Sequence, residues 1–284
     1  MIDWRTLTPA QLEQAYSPSS AIGGNYQPFI AQYVQRSAAA RAWFAAQNAC
    51  TAQYDLSYGA ATAQRFDVFL PNHVKKPPLL VFIHGGYWQE LSKNESHFAA
   101  VHAVQAGLAL AVLDYTLAPA ASVGEIVDEC VQALRRLQAH ADALGFDVQR
   151  IYVSGSSAGA HLAAMAALQC PFVAGAVLVS GIYALEPLIH TSINAALGMN
   201  AAQAQALSPA LMDLSRFPPA VIAVGEVETA QFKLQSQAFA GLLKPSVPVL
   251  TVAQRNHFDV ILDLLDPATA LGQATLAMMG ARSW

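Results

Sequence analysis

The sequence predicts an α/β fold in which a mostly parallel central sheet is flanked by helices on both faces. Short, fully apolar segments recur along the chain, and amphipathic or alanine-rich segments of helical length separate them. The 284 residues are 54% hydrophobic and 12% charged, against about 25% charged residues in an average domain. Strands that are apolar throughout are typical of parallel sheets, because crossover helices cover both faces. We expect a single domain over residues 1–284.

The elements follow in order along the chain. The first fifty residues are predicted to contain a helix in TPAQLEQAY, a loop in SPSSAIGGNYQP and a second helix in YVQRSAAARAWFAAQ. Strand-like segments follow at AQYDLSYG, RFDVFLP and LLVFIHG. Strands and helices then alternate, with strands in LALAVLDY, RIYVSG, AGAVLVSG, PAVIAVG and PVLTVA, and helices in VGEIVDECVQALRRLQAHADAL, AGAHLAAMAAL, TAQFKLQSQAFAGLL and the tail from Ala268.

Two segments fall outside this alternation. Residues 182–217 contain short helical pieces and polar loops between two core strands, and residues 1–48 contain the N-terminal helices. An insertion at the carboxyl end of a parallel sheet is well placed to cover a binding crevice. We therefore expect the two segments to form a small cap.

Composition narrows the classes of partner. The net charge of −4 and the scattered basic residues do not favour nucleic acid. The polar N-terminus is unlike a signal peptide, and the longest apolar stretch is interrupted by proline, serine and glycines, so we expect no membrane span. Cys50, Cys130 and Cys170 have no metal-binding or redox spacing, which favours a reduced, cytoplasmic setting and no metal. The expected partner is a small-molecule substrate, and a homodimer stays open.

The candidate nucleophile is Ser157, in the GSSAG motif that joins a strand to a helix. A Gly-x-Ser-x-Gly turn is so tight that only small residues fit two positions either side of the serine. It lifts the hydroxyl above the sheet at a helix N-terminus, where negative charge is favoured. A glycine–serine turn that serves packing alone is the alternative.

The segment VFIHGGYW places two glycines and two large aromatic residues directly after an apolar strand. Such glycines let the backbone approach a substrate carbonyl, whose oxygen becomes an anion when the serine attacks. The predicted N–H donors are those of Gly86, Tyr87 and Ala158, with Gly85 as a further candidate. Tyr87 and Trp88 are predicted to form the walls of the substrate pocket, and core packing is the alternative for both rings.

The serine needs a base, and the base needs a carboxylate that orients it. In proteins with this kind of turn, the chain order is serine, acid, histidine. His257 follows the last strand and is the predicted base. Glu228 and Glu226 both follow the strand PAVIAVG; Glu228 is preferred because it lies further beyond the sheet edge, and Glu226 stays open. His84, which precedes the serine, is expected to orient its own loop.

The segments HGGYW, GSSAGAHLAAM, LVSGIYALEP and NHFD together resemble the kynurenine formamidase (arylformamidase) family of α/β-hydrolases, which is related to esterases with a His-Gly-Gly loop. The likeness extends to LEQAYSPS, YTLAP and ETAQFKLQS and so covers nearly the whole chain. It implies an α/β-hydrolase fold, with Ser157 as nucleophile, His257 as base, residues 85–87 in the oxyanion loop and Glu228 as acid. The implied reaction is hydrolysis of N-formyl-L-kynurenine to L-kynurenine and formate, a step of tryptophan catabolism that needs no cofactor.

Two departures from the family pattern concern substrate preference. The family usually has aspartate as the acid, where this chain has Glu228. It often has histidine before the nucleophile, where this chain has Ser156, a predicted substrate contact. A substrate carboxylate would need a basic partner, for which Arg216 and Arg255 are the candidates. Two alternatives stay open: a carboxylesterase that acts on small aryl or acyl esters, and a binding protein of this fold that has lost activity, which the complete set of catalytic residues disfavours.

Overall fold

The centre of the molecule is an eight-stranded sheet with the strand order β1-β2-β4-β3-β5-β6-β7-β8. The computed structural model describes residues 3–281; residues 1–2 of the predicted cap and residues 282–284 of the predicted domain lie outside this range. β1 pairs with β2 and β2 with β4 in antiparallel fashion, and the other neighbours are parallel. The strands are Cys50–Ser57 (β1), Arg65–Pro71 (β2), Leu79–Ile83 (β3), Ala109–Leu113 (β4), Ile151–Ser156 (β5), Val173–Val179 (β6), Ala220–Val227 (β7) and Val249–Asn256 (β8).

Helices cover both faces of the sheet, as the apolar strands predicted. They are Pro9–Ala15 (α1), Gln27–Ala45 (α2), Ala100–Gln105 (α3), Val123–Ala139 (α4), Ala141–Leu144 (α5), Ala158–Gln169 (α6), Asn194–Leu197 (α7), Ala201–Ala206 (α8), Ala230–Leu242 (α9) and Ala270–Met278 (α10). The mostly parallel α/β architecture is therefore confirmed. None of the helices within residues 3–281 is long and apolar enough to cross a membrane.

Three helix boundaries differ from the prediction. Helix α2 begins at Gln27, because Pro28 occupies a position in the first turn where its missing N–H costs nothing; the predicted loop before it also contains a 3₁₀ helix at Pro18–Ile22. The helix predicted over residues 123–144 is interrupted at His140, so that α4 and α5 are separate. The last helix begins two residues later than predicted, with Thr269 as its N-cap.

Alternating side chains of the central strands enter two separate cores. Leu79, Val81 and Ile83 of β3 belong to one buried cluster, and Leu80 and Phe82 belong to the other. Each such side chain stabilises the fold by about 1.5–3 kcal/mol when it is fully buried. The result is a rigid sheet, which gives fixed positions to the loops that leave its strands.

The loops that follow β3, β5, β7 and β8 leave the sheet at one edge, because these four strands run parallel. This edge carries all the candidate catalytic residues. Residues 3–48 and 182–217, which we call the roof segments, contact each other there. Glu13 accepts a hydrogen bond from the backbone of Ser192 at 2.8 Å, and Arg5 forms an ion pair with Glu186 at 2.7 Å.

Candidate active site

Ser157 occupies the turn between β5 and α6 in a conformation that is unusual for a residue with a side chain. Its φ of 58° and ψ of −121° are accompanied by a hydrogen bond from its N–H to Val179 O at 2.8 Å. A Cβ on Gly155 would lie 2.1 Å from Gly159 O, and one on Gly159 would lie 2.1 Å from Ile83 O. The turn therefore requires both glycines of the motif, and such backbone strain is characteristic of functional sites.

The His-Gly-Gly loop passes directly beside this turn. A Cβ on Gly85 would lie 2.7 Å from Ser156 O and 3.3 Å from Ser157 Cβ. Gly86 has a φ of +87°, and its carbonyl accepts the N–H of residue 90 at 3.0 Å, which closes the turn. Within residues 3–281, no protein acceptor pairs with the N–H groups of Gly86 and Tyr87. The loop can thus present donors beside the serine.

His84 contacts the backbone of the His-Gly-Gly loop to which it belongs. Its Nδ1 lies 3.0 Å from Gly85 O, and its ring stacks on Tyr115 with 4.3 Å between centroids. The Tyr115 hydroxyl donates toward His84 O at 3.0 Å and Gly85 O at 3.2 Å. His84 Nε2 lies 3.4 Å from Asp114 Oδ1. The ring is buried, its Nδ1 contacts the loop backbone, and its Nε2 has no hydrogen-bond partner among residues 3–281. The contacts of Nδ1 fit the expected role of orienting the loop.

His257 and Glu228 meet beyond the ends of β8 and β7. The Nδ1 of His257 lies 3.0 Å from Glu228 Oε2, and both side chains are at most 5% exposed. A carboxylate can only accept, so Nδ1 carries the proton and Nε2 is left as the basic nitrogen. His257 and Ser157 line the same cavity. The structure thus shows the pair of His257 and Glu228 directly, and it places His257 at the cavity that Ser157 also lines.

The second oxygen of Glu228 is held equally firmly. Glu228 Oε1 accepts hydrogen bonds from Ser180 Oγ and from the N–H of Gly225, both at 2.5 Å. Ser180 itself adopts a φ of 52°, which places its hydroxyl against the carboxylate. Glu226, by contrast, is exposed, and its Oε2 accepts the N–H of Gln254 at 2.8 Å. Of the two candidate acids, Glu228 is the one that contacts the histidine.

A cavity of about 380 Å³ opens beside Ser157 and is lined in part by Gly85, Gly86, Tyr87 and Ser156. Tyr87 thus lies where the sequence predicted, and its hydroxyl donates to Tyr16 O. The neighbouring residue Trp88 does not line the cavity. It is fully buried and packs edge-on against His161 with 5.1 Å between centroids. The prediction of Trp88 as a pocket wall is wrong, because a φ of 61° turns its side chain into the core.

Neither arginine proposed for a substrate carboxylate lines the cavity. Arg255 forms a bidentate pair with Asp263, at 2.9 Å from Nε and 2.8 Å from Nη2, and Arg216 is exposed elsewhere. Neither of these two candidates is therefore placed to bind a substrate carboxylate in the cavity. Within residues 3–281, no three His, Cys, Asp or Glu side chains are grouped so that they could hold a metal ion.

Three residues of the site escaped sequence reasoning. Tyr115 stabilises the His-Gly-Gly loop, Ser180 holds the acid, and Tyr33 lines the cavity and donates its hydroxyl to Phe258 O, next to the base. Tyr115 and Ser180 each follow a core strand directly or within two residues. A search of all strand ends for polar residues would have found both; Tyr33 lies on a helix and gives no such signal.

This arrangement can carry out acyl transfer through the serine. The N–H of Ala158, at the first turn of α6, has no protein acceptor among residues 3–281. Together with the N–H groups of Gly86 and Tyr87, it can surround an oxygen atom held against Ser157. Donors aimed at the developing oxyanion, with a base oriented by a buried carboxylate, are the requirements of serine hydrolysis.

Known proteins similar to this chain are hydrolases. A family described as BD-FAE matches residues 66–172. Kynurenine formamidase from Danio rerio is 32% identical over 99% of this chain and 99% of its own length. A solved structure from Silicibacter sp., provisionally described as a thioesterase, superposes with a TM-score of 0.81 at 30% identity and covers 95% of this chain and 99% of that one. A thermophilic carboxylesterase cloned from a metagenomic library shares the fold, with a TM-score of 0.73 at 21% identity over 92% and 99% of the two chains. The predicted α/β-hydrolase fold is confirmed.

Proposed function

The chain belongs to the kynurenine formamidase family of α/β-hydrolases, and we propose that it hydrolyses an aryl formamide, N-formyl-L-kynurenine, to L-kynurenine and formate. The observation that supports the proposal is that Ser157 and His257 line one cavity beside the His-Gly-Gly loop, with Glu228 hydrogen-bonded to His257. The proposed catalytic triad is therefore serine, histidine and glutamate.

In the first half of the reaction, His257 Nε2 takes the proton of the Ser157 hydroxyl, whose oxygen attacks the formyl carbon. The carbonyl oxygen becomes an anion and accepts hydrogen bonds from the N–H groups of Gly86, Tyr87 and Ala158, with Gly85 allowing the close approach. Fixed donors of this kind supply about 2.7–4 kcal/mol each to the barrier reduction. His257 then donates its proton to the arylamine nitrogen as the carbon–nitrogen bond breaks, and L-kynurenine leaves.

In the second half, His257 deprotonates a water molecule that attacks the formyl ester on Ser157. The ester bond breaks, formate leaves, and the proton on His257 returns to the serine oxygen. Glu228 stabilises the imidazolium in both halves through the hydrogen bond from Nδ1. All groups required for proton transfer are supplied by the protein and by water.

The proposal is tested by absorbance assays of the purified protein on N-formyl-L-kynurenine and on p-nitrophenyl acetate. We expect the formamide to give the larger kcat/KM. Turnover of the formamide no faster than that of the ester would replace the formamidase assignment by that of a carboxylesterase.

The nucleophile is tested separately by Ser157→Ala, which should reduce kcat on both substrates by about 10⁴-fold or more. Ser154→Ala is the matched control, because Ser154 is a buried serine of β5, the strand that precedes Ser157, and among residues 3–281 its hydroxyl bonds Val81 O alone, at 3.2 Å. It should keep activity within about twofold, since removal of one neutral hydrogen bond affects stability by about 1 kcal/mol. Full activity in Ser157→Ala would refute the assignment.

Carboxylesterase activity on small aryl or acyl esters is the second candidate. It is supported by the fold shared with the thermophilic carboxylesterase and by the chemistry, because the same nucleophile, base and oxyanion donors cleave an ester. The two activities differ in the leaving group, which is an alcohol in one case and an arylamine in the other. The decisive property is thus the part of the cavity that receives the leaving group.

A further inference from the structure

The cavity beside Ser157 carries negative charge that no basic side chain in the described part of the chain neutralises. Glu13 and Glu90 both line it, and no lysine or arginine among residues 3–281 does. No ion pair within the same residues joins either glutamate to a basic group. A cavity with carboxylates in its wall attracts cations and repels anions.

The two glutamates differ in how they are held. Glu13 Oε2 accepts the N–H of Ser192 at 2.8 Å, and Glu13 Oε1 accepts the Ser192 hydroxyl at 2.5 Å. Glu13, in the first roof segment, is therefore held against Ser192 in the second. It acts on a ligand mainly through the electrostatic effect of its charge. Glu90 is exposed and lies beside the hydroxyl of Tyr26. The pKa of Tyr26 is raised, first by partial burial and then by the charge of Glu90 and a hydrogen bond to it. Glu90 keeps acceptor capacity for a ligand.

Aromatic rings stand next to Glu90. Tyr26 and Phe258 both line the cavity and stack with 5.2 Å between centroids and 11° between planes. Phe258 directly follows the base His257, so this corner is close to the reacting atoms. Phe258 also stacks on Phe29 with 6.0 Å between centroids, so the Tyr26 ring offers the face for a cation and Phe258 supports that ring. A ring face attracts a cation by about 0.5–2 kcal/mol. A carboxylate beside stacked aromatic rings is a combination that recognises an ammonium group.

We propose that Glu90, Tyr26 and Phe258 form a subsite for a cationic group on the leaving-group side of the scissile bond. The inference rests on the proposed function, in which the departing arylamine carries an α-ammonium group. A formyl group is far smaller than the cavity of about 380 Å³, so the larger part receives the leaving amine. The ammonium group binds Glu90, and the substrate carboxylate remains in solvent at the exposed mouth, which explains why no arginine of the described residues 3–281 lines the cavity.

The test uses three phenyl acetates that carry a trimethylammoniomethyl, a 2,2-dimethylpropyl or a carboxymethyl group in the ortho position, where N-formyl-L-kynurenine carries its ammonium-bearing chain. Esters are chosen because their cleavage does not depend on formamidase activity. In Glu90→Gln, we expect kcat/KM for the cationic ester to fall about fivefold through KM, that for the neutral ester to be unchanged, and that for the anionic ester to rise. The cationic preference of the wild type should also shrink with added NaCl, since salt screens exposed charges.

The control is Asp142→Asn, which makes the same change in net charge. Asp142 is 85% exposed, pairs with Lys76 and lies outside the cavity, so all three esters should keep their wild-type kinetics. An equal effect of Glu90→Gln on the cationic and neutral esters, or none on either, would overturn the subsite. A wild type that cleaves the esters but not N-formyl-L-kynurenine refutes the proposed function alone, because the ester series still decides the subsite. Cleavage of none of the four substrates refutes both.

Discussion

A carboxylate beside a catalytic histidine acts only if it stays ionised and cannot rotate away from the imidazole. Three donors prevent Glu228 from rotating away: His257 Nδ1 on one oxygen, and Ser180 Oγ and the N–H of Gly225 on the other. Glutamate is longer by one methylene than the aspartate that is usual in the family which the sequence resembles. The close contacts at 2.5 Å show that the end of β7 accommodates this extra length.

At the residue scale, Glu228→Gln should reduce kcat on p-nitrophenyl acetate by about 10³–10⁴-fold, because an amide places a donor or a weaker acceptor against Nδ1 and favours the wrong imidazole tautomer. Glu226→Gln changes an exposed side chain on the same strand and should leave kcat within about twofold. The assay is steady-state kinetics of both variants, with circular dichroism to verify the fold. A large loss in Glu226→Gln, with activity kept in Glu228→Gln, would reverse the assignment of the acid.

The sequence predicted the proposed catalytic side chains but not the residues that contact them, and the reason is their position relative to the strands. Ser157, Glu228 and His257 directly follow strand ends, and parallel strands bring such positions to one edge. Trp88 was misplaced because its neighbour Tyr87 also has a positive φ, of 50°, and sequence patterns do not predict two such residues in succession. Arg255 was misplaced because its partner Asp263 is visible only in three dimensions.

At the element scale, α6 follows directly on the proposed nucleophile Ser157 and carries a buried histidine, His161, in its first turn. His161 Nε2 lies 2.8 Å from Leu207 O, which connects α6 to the roof segment 182–217. Its Nδ1 is one of the buried side-chain atoms without a partner in residues 3–281. Burial lowers the pKa of His161 to about 4, although the hydrogen bond to Leu207 acts in the opposite direction. The helix therefore carries a neutral imidazole at physiological pH.

This pKa shift makes the stability of the protein depend on pH. The unfolded chain binds a proton at His161 below pH 6.5, its ordinary pKa, whereas the folded chain does so only near pH 4. The free energy of unfolding should therefore decrease as the pH falls from 6.5 to about 4, and this residue alone should account for about 2 kcal/mol between pH 7.5 and 5.0.

Urea unfolding of wild type and His161→Gln at pH 7.5 and 5.0 measures this contribution. Glutamine keeps a donor for Leu207 O but does not titrate, so the difference between the two pH values should be smaller by about 2 kcal/mol in the variant. His73→Gln, which replaces an exposed ring, should behave like wild type. An unchanged pH dependence in His161→Gln would show that another group causes the acid sensitivity.

At the scale of the whole molecule, the sequence predicted the central sheet more reliably than the roof segments that lie beyond its strand ends. The apolar segments of β3, β4 and β5 have one interpretation in an α/β chain, because only a sheet covered on both faces buries them completely. The roof segments lack such a pattern; α2 has apolar and polar residues on all sides. Their mutual contacts depend on single polar pairs, such as Glu13 with Ser192, which no periodicity reveals.

We propose that residues 3–48 and 182–217 act as one cap on a single domain, although 179 positions separate the two residues that join them. Glu13 bonds Ser192 twice, and Trp4 stacks on His190 with 5.3 Å between centroids. The exposed ion pair between Arg5 and Glu186 adds little, because exposed pairs contribute at most about 1 kcal/mol. The hydrogen bonds of Glu13 are thus the main polar link between the halves of the cap.

Ser192→Ala removes the shorter of these two bonds and should destabilise the closed cap by about 1 kcal/mol, which increases local opening about fivefold. Hydrogen–deuterium exchange should become faster both around residue 192 and in α1, because the two segments open together. Ser215→Ala, in the same segment but without a bond to the N-terminal helices, should leave exchange in α1 unchanged. Faster exchange confined to the residues around position 192 would mean that each segment covers the cavity independently.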